Sequence, residues 1–242
     1  AGSSGTEGPQ LEGTAGPRAG IQRGTSEGLA PARLAPGGQG LPHGVLAVRF
    51  GGQLLHELLA GVGEALLWLA GGLLDGLFRL LALVAQQFPQ KKIFVLDCDQ
   101  HGGNGTAEFT RRLDNLFNFS IYGLPFGCPT YARAQTRHIH KDRGNFAQYT
   151  LAVHEGLQQA RDWGADLVIY QAGMDCHQDD PCGSRWFKTE YIQHRERMVF
   201  SLAKKHGIPL MFVLAGGYQT LEPLVQLHVE TIKIAQHVYF TN

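Results

Sequence analysis

Three short apolar runs constrain what the second part of this chain can become: IFVLDCD from Ile93, DLVIYQAG from Asp166 and LMFVLAGG from Leu210. Each is nearly unbroken, too short for a buried helix, and ends in acids or glycines. A run of this kind reads as a strand covered on both faces, since a half-exposed strand would alternate apolar and polar residues. SIYGLP from Ser120 is a fourth strand candidate. Between and after these runs the spacing predicts helices over residues 106–116, 145–163, 190–206 and 221–239. Thr106 is expected to cap the first, Gly164 closes the second, and Gly207 with Pro209 ends the third. Strands alternating with helices predict an α/β fold, a parallel sheet with helices on both faces.

In such sheets ligands bind beyond the carboxyl ends of the strands. Three strands end in DCDQHGG, QAGMDCHQDD and AGGY, so acids, histidines, glycines and a tyrosine are expected on one rim. Asp97, Asp99 and His101 alternate along a strand end and point to one side together. A single acid there would ordinarily be a cap or a solvated residue. Three ionisable groups on one side, with Asp175 ending a neighbouring strand, are costly to pack without a cation. Two carboxylates and an imidazole suit a divalent metal with an open position, as in catalytic zinc sites. The run Gly102–Gly105 supports a rival reading, a phosphate cradle, although the lysine and Ser/Thr of a P-loop and the G-x-G-x-x-G spacing are both missing.

The first part of the chain is different in kind. Every lysine, asparagine, tyrosine, cysteine and methionine lies at or after Lys91, and the preceding segment is dominated by Gly, Ala, Leu and Pro. One expectation from this break is that the first third derives from a truncated gene or another reading frame. Residues 1–53 read as low-complexity and disordered, with no secretory leader pattern. Residues 54–79 form an apolar helical segment in which Glu57, Glu64 and Asp75 argue against a membrane span. Residues 80–242 form the α/β domain. With 21 basic and 21 acidic side chains, nothing in the charge points to nucleic acid or an anionic membrane as a partner. The four cysteines form no C-x-x-C pair, and a reducing, cytoplasmic location is expected.

The blocks IFVLDCDQHGGNGT, DLVIYQAGMDCHQDDPCG and GIPLMFVLAGGYQ resemble, in order and approximate spacing, three blocks of the histone deacetylase and acetylpolyamine amidohydrolase superfamily. The resemblance is greatest to its bacterial deacetylase-like members, and it covers about the last two thirds of the chain. It implies the arginase/deacetylase fold and removal of an acyl group from an acylated amine, either a small molecule or a peptide. It implies Asp99, His101 and Asp175 as ligands of Zn2+ or another divalent metal. Asp97 would then serve a structural monovalent cation such as K+ or stand behind the zinc ligands. Tyr218 falls on the tyrosine whose hydroxyl binds the substrate carbonyl. His177, Trp186 and Phe187 are candidates for the pocket rim, with core packing as the plainer reading of the aromatic pair.

Two departures stand beside the matches. Many members read His-His-Gly where this chain has His101-Gly102-Gly103. More seriously, the family carries two adjacent histidines upstream that act as general base and acid, and no two histidines are adjacent anywhere in this chain. The corresponding region, VGEALLWL from Val62, has no histidine; His56 is the nearest stand-in and reads better as an ordinary helix residue. The same fold holding metal without turnover is therefore the alternative expectation. His138 and His140 alternate as on an exposed strand face.

Overall fold

The computed structural model describes residues 83–124, 128–139, 145–183 and 185–241, together with the backbone of 48–50. Six strands form one sheet, β1 (Val48–Phe50), β2 (Ile93–Asp97), β3 (Leu116–Tyr122), β4 (Ala134–His138), β5 (Leu167–Gly173) and β6 (Leu210–Ala215), in the order β1-β6-β5-β2-β3-β4. Strands β2 to β6 are parallel, and β1 runs antiparallel to β6. Among the described residues, 83–87 are helical, and further helices are α1 (Asn104–Phe109), α2 (Phe146–Trp163), α3 (Thr189–His206) and α4 (Leu221–Phe240). This is the α/β architecture expected from the alternating pattern.

The apolar strands divide their side chains between two core layers. Phe94, Leu96, Phe119, Val168, Tyr170 and Phe212 face α2, α3 and α4. Ile93, Val95, Leu167, Ile169, Met211 and Val213 face the other way, against Val84 and Ala85, with Phe109 of α1 packed on the same layer. Continuous burial along β2 and β5 explains why they read as unbroken apolar runs rather than as alternating ones. Helix α2 begins with a reciprocal cap between Asn145 and Gln148 and ends at Gly164, whose φ of 76° is left-handed. Gly207 closes α3 in the same way, with φ of 67°.

Several local expectations need correcting. The helix expected over 106–116 stops at Phe109, and β3 begins at Leu116 rather than at Ser120. Pairing decides this. Leu116 to Ser120 lie in register with Ile93 to Asp97, and Asn115 Nδ2 donates to the carbonyl oxygens of Ala85, Phe88 and Lys91 at 2.8, 3.1 and 2.9 Å. Thr106 is buried inside α1 rather than capping it. Within residues 1–53, Val48–Phe50 form a strand because β6 offers a free edge at Leu210, Met211 and Phe212. The remaining expectations for residues 1–79, including that for His56, and the one for His140 lie outside the described residues. Among the described residues no helix is long and apolar enough to cross a membrane.

Helix α2 approaches the sheet closely at Gly156, where an added Cβ would lie 2.8 Å from Leu96 Cδ1 and 3.0 Å from Phe119 Cδ1. Gly156→Val should destabilise the domain by ~1–3 kcal/mol through overpacking, more than any gain in helix propensity. A fall in melting temperature of roughly 2–4 °C per kcal/mol is the expected reading, and an unchanged melt would contradict the packing described.

Candidate metal centre

The sheet order places the site. From β2 the chain proceeds outward through β3 and β4, then returns to the other side of β2 with β5. The seam between the carboxyl ends of β2 and β5 is thus the switch point where open α/β sheets bind ligands. Register brings the ends level: Asp97 pairs with Gln171, Gly173 pairs with Ala215, and Cys98 N donates to Gln171 O at 3.1 Å. Asp99 and His101 follow β2, Asp175 follows β5, and Gly216 to Tyr218 follow β6.

Asp99, His101 and Asp175 converge, each offering a ligand atom within 4.8 Å of the others. His101 Nδ1 lies 3.1 Å from Asp99 Oδ1 and 2.8 Å from Asp175 Oδ2. Backbone amides also hold both carboxylates, with Gln100 N donating to Asp175 Oδ1 at 3.1 Å and His101 N to Asp99 Oδ1 at 2.8 Å. Asp175 is fully buried, and its Oδ2 approaches Nδ1 as an ion pair without a well-formed hydrogen bond. Burial and then the Asp99 charge push the Asp175 carboxyl up to about 7. Contact with Asp175, then with Asp99, pushes the His101 imidazole up to about 10. A proton on Nδ1 can partly satisfy the two carboxylates; a divalent ion would satisfy all three donors together.

Glycines leave room for this convergence. A Cβ on Gly216 would lie 2.6 Å from Asp175 Oδ1 and 2.9 Å from Asp99 Oδ2. The cradle is therefore shaped for oxygen and nitrogen donors around a small cation, and the residues present fit one. Asp97 stands behind, fully buried, accepting from Asp99 N at 3.0 Å and approached by Ser120 Oγ at 3.5 Å. Burial first, then the Asp99 charge, holds its carboxyl well above the usual range. Gly102–Gly105 packs against that carboxylate, since a Cβ on Gly103 would strike Asp97 Oδ2 at 2.1 Å. Gly103 N already donates to Ser120 Oγ at 3.0 Å. Beside a buried acid, with this amide engaged, the glycine turn serves close packing and is a poor phosphate cradle.

Tyr218 reaches the centre from the β6 end. Gly216 and Gly217 adopt φ of 55° and 118°, and the half-exposed Tyr218 ring meets His101 edge-on with centroids 5.9 Å apart. Burial, then the charges of Asp99 and Asp175, push its phenol up to about 12, so it remains a neutral donor.

The three rim candidates separate. Phe187 is fully buried in an aromatic cluster, edge-on to Tyr149 at 4.5 Å and to Phe146 at 5.4 Å, so of its two readings core packing holds. His177 is buried as well. Its Nδ1 accepts from Asp179 N at 3.2 Å and its Nε2 lies 3.0 Å from Thr189 Oγ1, so both ring nitrogens are engaged away from the centre. Trp186, half-buried against Phe187 at 4.7 Å, remains beside the loop.

Sequence reasoning missed the support beneath Asp175. Arg195, fully buried, donates through Nη1 to Gly173 O at 2.8 Å, and through Nε and Nη2 to Glu196 Oε1 at 2.9 and 2.6 Å. Tyr170 Oη donates to the same Glu196 oxygen at 2.9 Å. The signal was present. Arg195 and Glu196 occupy the inward stripe of α3 together with Ile192, Val199 and Phe200, positions that period 3.6 reserves for apolar residues. The flanking thiols of Cys98 and Cys176 are both pushed up to about 12 by burial, which makes them inert packing groups.

With this geometry in view, comparison with known proteins is decisive. Residues 77–232, more than half of the chain, match the histone deacetylase domain model. The chain belongs to that family. An uncharacterised protein of the cyanobacterium Picosynechococcus is 27% identical over 82% of this chain and 65% of its own length. Acetylpolyamine amidohydrolase 2 of Pseudomonas aeruginosa is 29% identical over 60% of this chain and 46% of its own length. A crystal structure of an acetylpolyamine aminohydrolase from Burkholderia pseudomallei shares the fold, with a TM-score of 0.56 at 19% identity, over 66% of this chain and 49% of that one. The chain thus spans between about half and two thirds of the length of these relatives.

Because Asp175 and His101 must give up protons to ligate a cation, affinity should fall with acidity. The purified chain should bind zinc more tightly at pH 8 than at pH 6 in competition with a chelating indicator, and Asp175→Ala should lose stoichiometric binding. Affinity independent of pH, or zinc retained by the variant, would remove the ligand assignment. Separately, Arg195→Ala leaves Glu196 buried and uncompensated, and should cost ~3–5 kcal/mol in a denaturant melt.

Proposed function

We propose that this chain carries the metal-binding part of an amidohydrolase that removes an acyl group from an acylated amine, of the acetyl-lysine or acetylpolyamine type. The observation that carries this reading is the convergence of Asp99, His101 and Asp175 at the switch point, with Tyr218 beside them. Asp99, His101 and Asp175 would hold Zn2+, which when bound would supply Lewis-acid polarisation of an acyl carbonyl and an acidified water. Asp97 would serve a monovalent cation such as K+ or steady the Asp99 segment through the Asp99 amide.

The protein's own contribution is positioning. The neutral Tyr218 hydroxyl would donate to the carbonyl oxygen as negative charge develops there, a preorganised contact in a half-buried setting. Trp186 offers an apolar wall near the loop after Asp175. The substrate would be a small molecule or a peptide with an acylated amine.

A second reading is favoured by one fact of the sequence: no two histidines are adjacent anywhere in the chain. A positioned acid and base contribute typically ~10²–10⁴-fold to such a reaction. His177 does not replace them, because both of its ring nitrogens are engaged. In this reading the chain binds metal and acylated ligand with little or no turnover.

Zinc-loaded protein offered an acetyl-lysine peptide and an acetylated polyamine separates the two. Release of acetate, reduced ~10²–10³-fold in kcat by Tyr218→Phe, is the expected result for the enzyme. Stoichiometric zinc with no acetate released would leave the second reading, and failure to bind zinc would refute both.

A further inference from the structure

Asp180 is not one of the converging residues, yet its carboxylate is held from two sides beside them. Its side chain is fully buried and meets three backbone amides from two separate segments. Oδ1 accepts from Cys182 N and Gly183 N, both at 2.9 Å. Oδ2 accepts from Tyr218 N at 2.6 Å. The first pair closes the loop that follows Asp175; the third bond crosses to the turn after β6. A buried carboxylate is costly to keep, and three amide donors are what makes its burial tolerable.

Both segments held by Asp180 touch the metal centre. The 180–183 loop folds back on Asp175 so tightly that a Cβ on Gly183 would lie 1.4 Å from Asp175 O. The other segment is a turn of two glycines in left-handed conformations, which has little conformational preference of its own. Something outside the turn must therefore define where Tyr218 stands, and the Tyr218 amide is tied to Asp180.

We propose that Asp180 is the positioning residue for Tyr218, locking the loop after Asp175 and the turn after β6 into one unit so that the phenol is held beside the metal ligands. This deepens the amidohydrolase reading and rests on it for the role of Tyr218, but the lock itself can be tested without metal. An asparagine at this position keeps the shape and loses the symmetry of the acceptor. Its NH2 would face either the Tyr218 amide or the two loop amides, donor against donor.

The test uses the full chain, first free of metal. In the wild-type protein the Tyr218 amide should be protected from hydrogen exchange although it lies in a turn; exchange at the rate of an unstructured peptide would overturn the proposal. This measurement decides even if a variant fails to fold. In Asp180→Asn that amide should exchange roughly 10- to 100-fold faster, as expected for loss of a bond to a charged acceptor. The 13Cζ resonance of Tyr218, assigned with Tyr218→Phe, should move while those of the buried Tyr149 and Tyr170 stay in place. The exposed neighbour, Asp179→Asn, should leave the Tyr218 signal unchanged. An unaltered Tyr218 signal in folded Asp180→Asn would refute the lock.

With zinc loaded, acetohydroxamate affinity gives the functional arm. Asp180→Asn and Tyr218→Phe should weaken it by similar factors, and the double variant by no more than either alone. Additive losses would show that Asp180 does not act through Tyr218. Zinc content and acetate release by the wild-type chain judge the amidohydrolase reading independently of these measurements.

Discussion

Asp97, Asp99 and Asp175 bring three carboxylates to the seam between β2 and β5, and two of them have no exposed surface. Dehydrating a carboxylate costs several kcal/mol even after the surroundings relax, and neighbouring like charges add to it. Much of the local structure answers that cost. Amides of Asp99, Gln100 and His101 point into the cluster, His101 approaches two of the acids, and the glycines at 103 and 216 let backbone come within contact distance. The remaining cost appears at the two buried acids, where burial holds the Asp97 carboxyl above its usual range and pushes that of Asp175 up to about 7.

The parts of this arrangement that were legible in the sequence share one property, a strand pattern too strong to be overridden. IFVLD, LVIYQAG and LMFVLA could be little other than doubly covered strands, so the rim and its acids followed from the placement of their ends. That Asp99, His101 and Asp175 lie together on one rim, with Tyr218 beside them, was legible for that reason. Boundaries governed by pairing were not legible. Leu116 is a strand residue because Ile93 lies beside it, and nothing within 106–116 announces that. Burial of single side chains was likewise hidden. His177, just after Asp175, and Phe187, read as rim or core, are both turned inward by the loop. Asp180 reads as one of two adjacent acids in QDDPCG, and only the approach of Tyr218 singles it out.

Arg195 illustrates a different kind of concealment. A charged pair on the inward stripe of α3 breaks the apolar period at the point where the helix passes under the end of β5. The guanidinium reaches Gly173 O, two residues before Asp175, and so stiffens the backbone from which the Asp175 carboxylate departs. The supporting layer is polar because what it supports is a carbonyl at a strand end, which an apolar side chain would leave unsatisfied.

Strand β1 deserves a last remark for what it does to β6. Its three residues run opposite to the rest of the sheet and cover the backbone of Leu210, Met211 and Phe212. At the other margin, β4 reads AQTRH, polar and charged enough to discourage a neighbour. β6 has no such protection in its own sequence, LMFVLA. A chain trimmed of the segment that holds Val48–Phe50 would present that apolar row as an open template, and its first failing would be self-association through the sheet edge, ahead of any change at the metal centre.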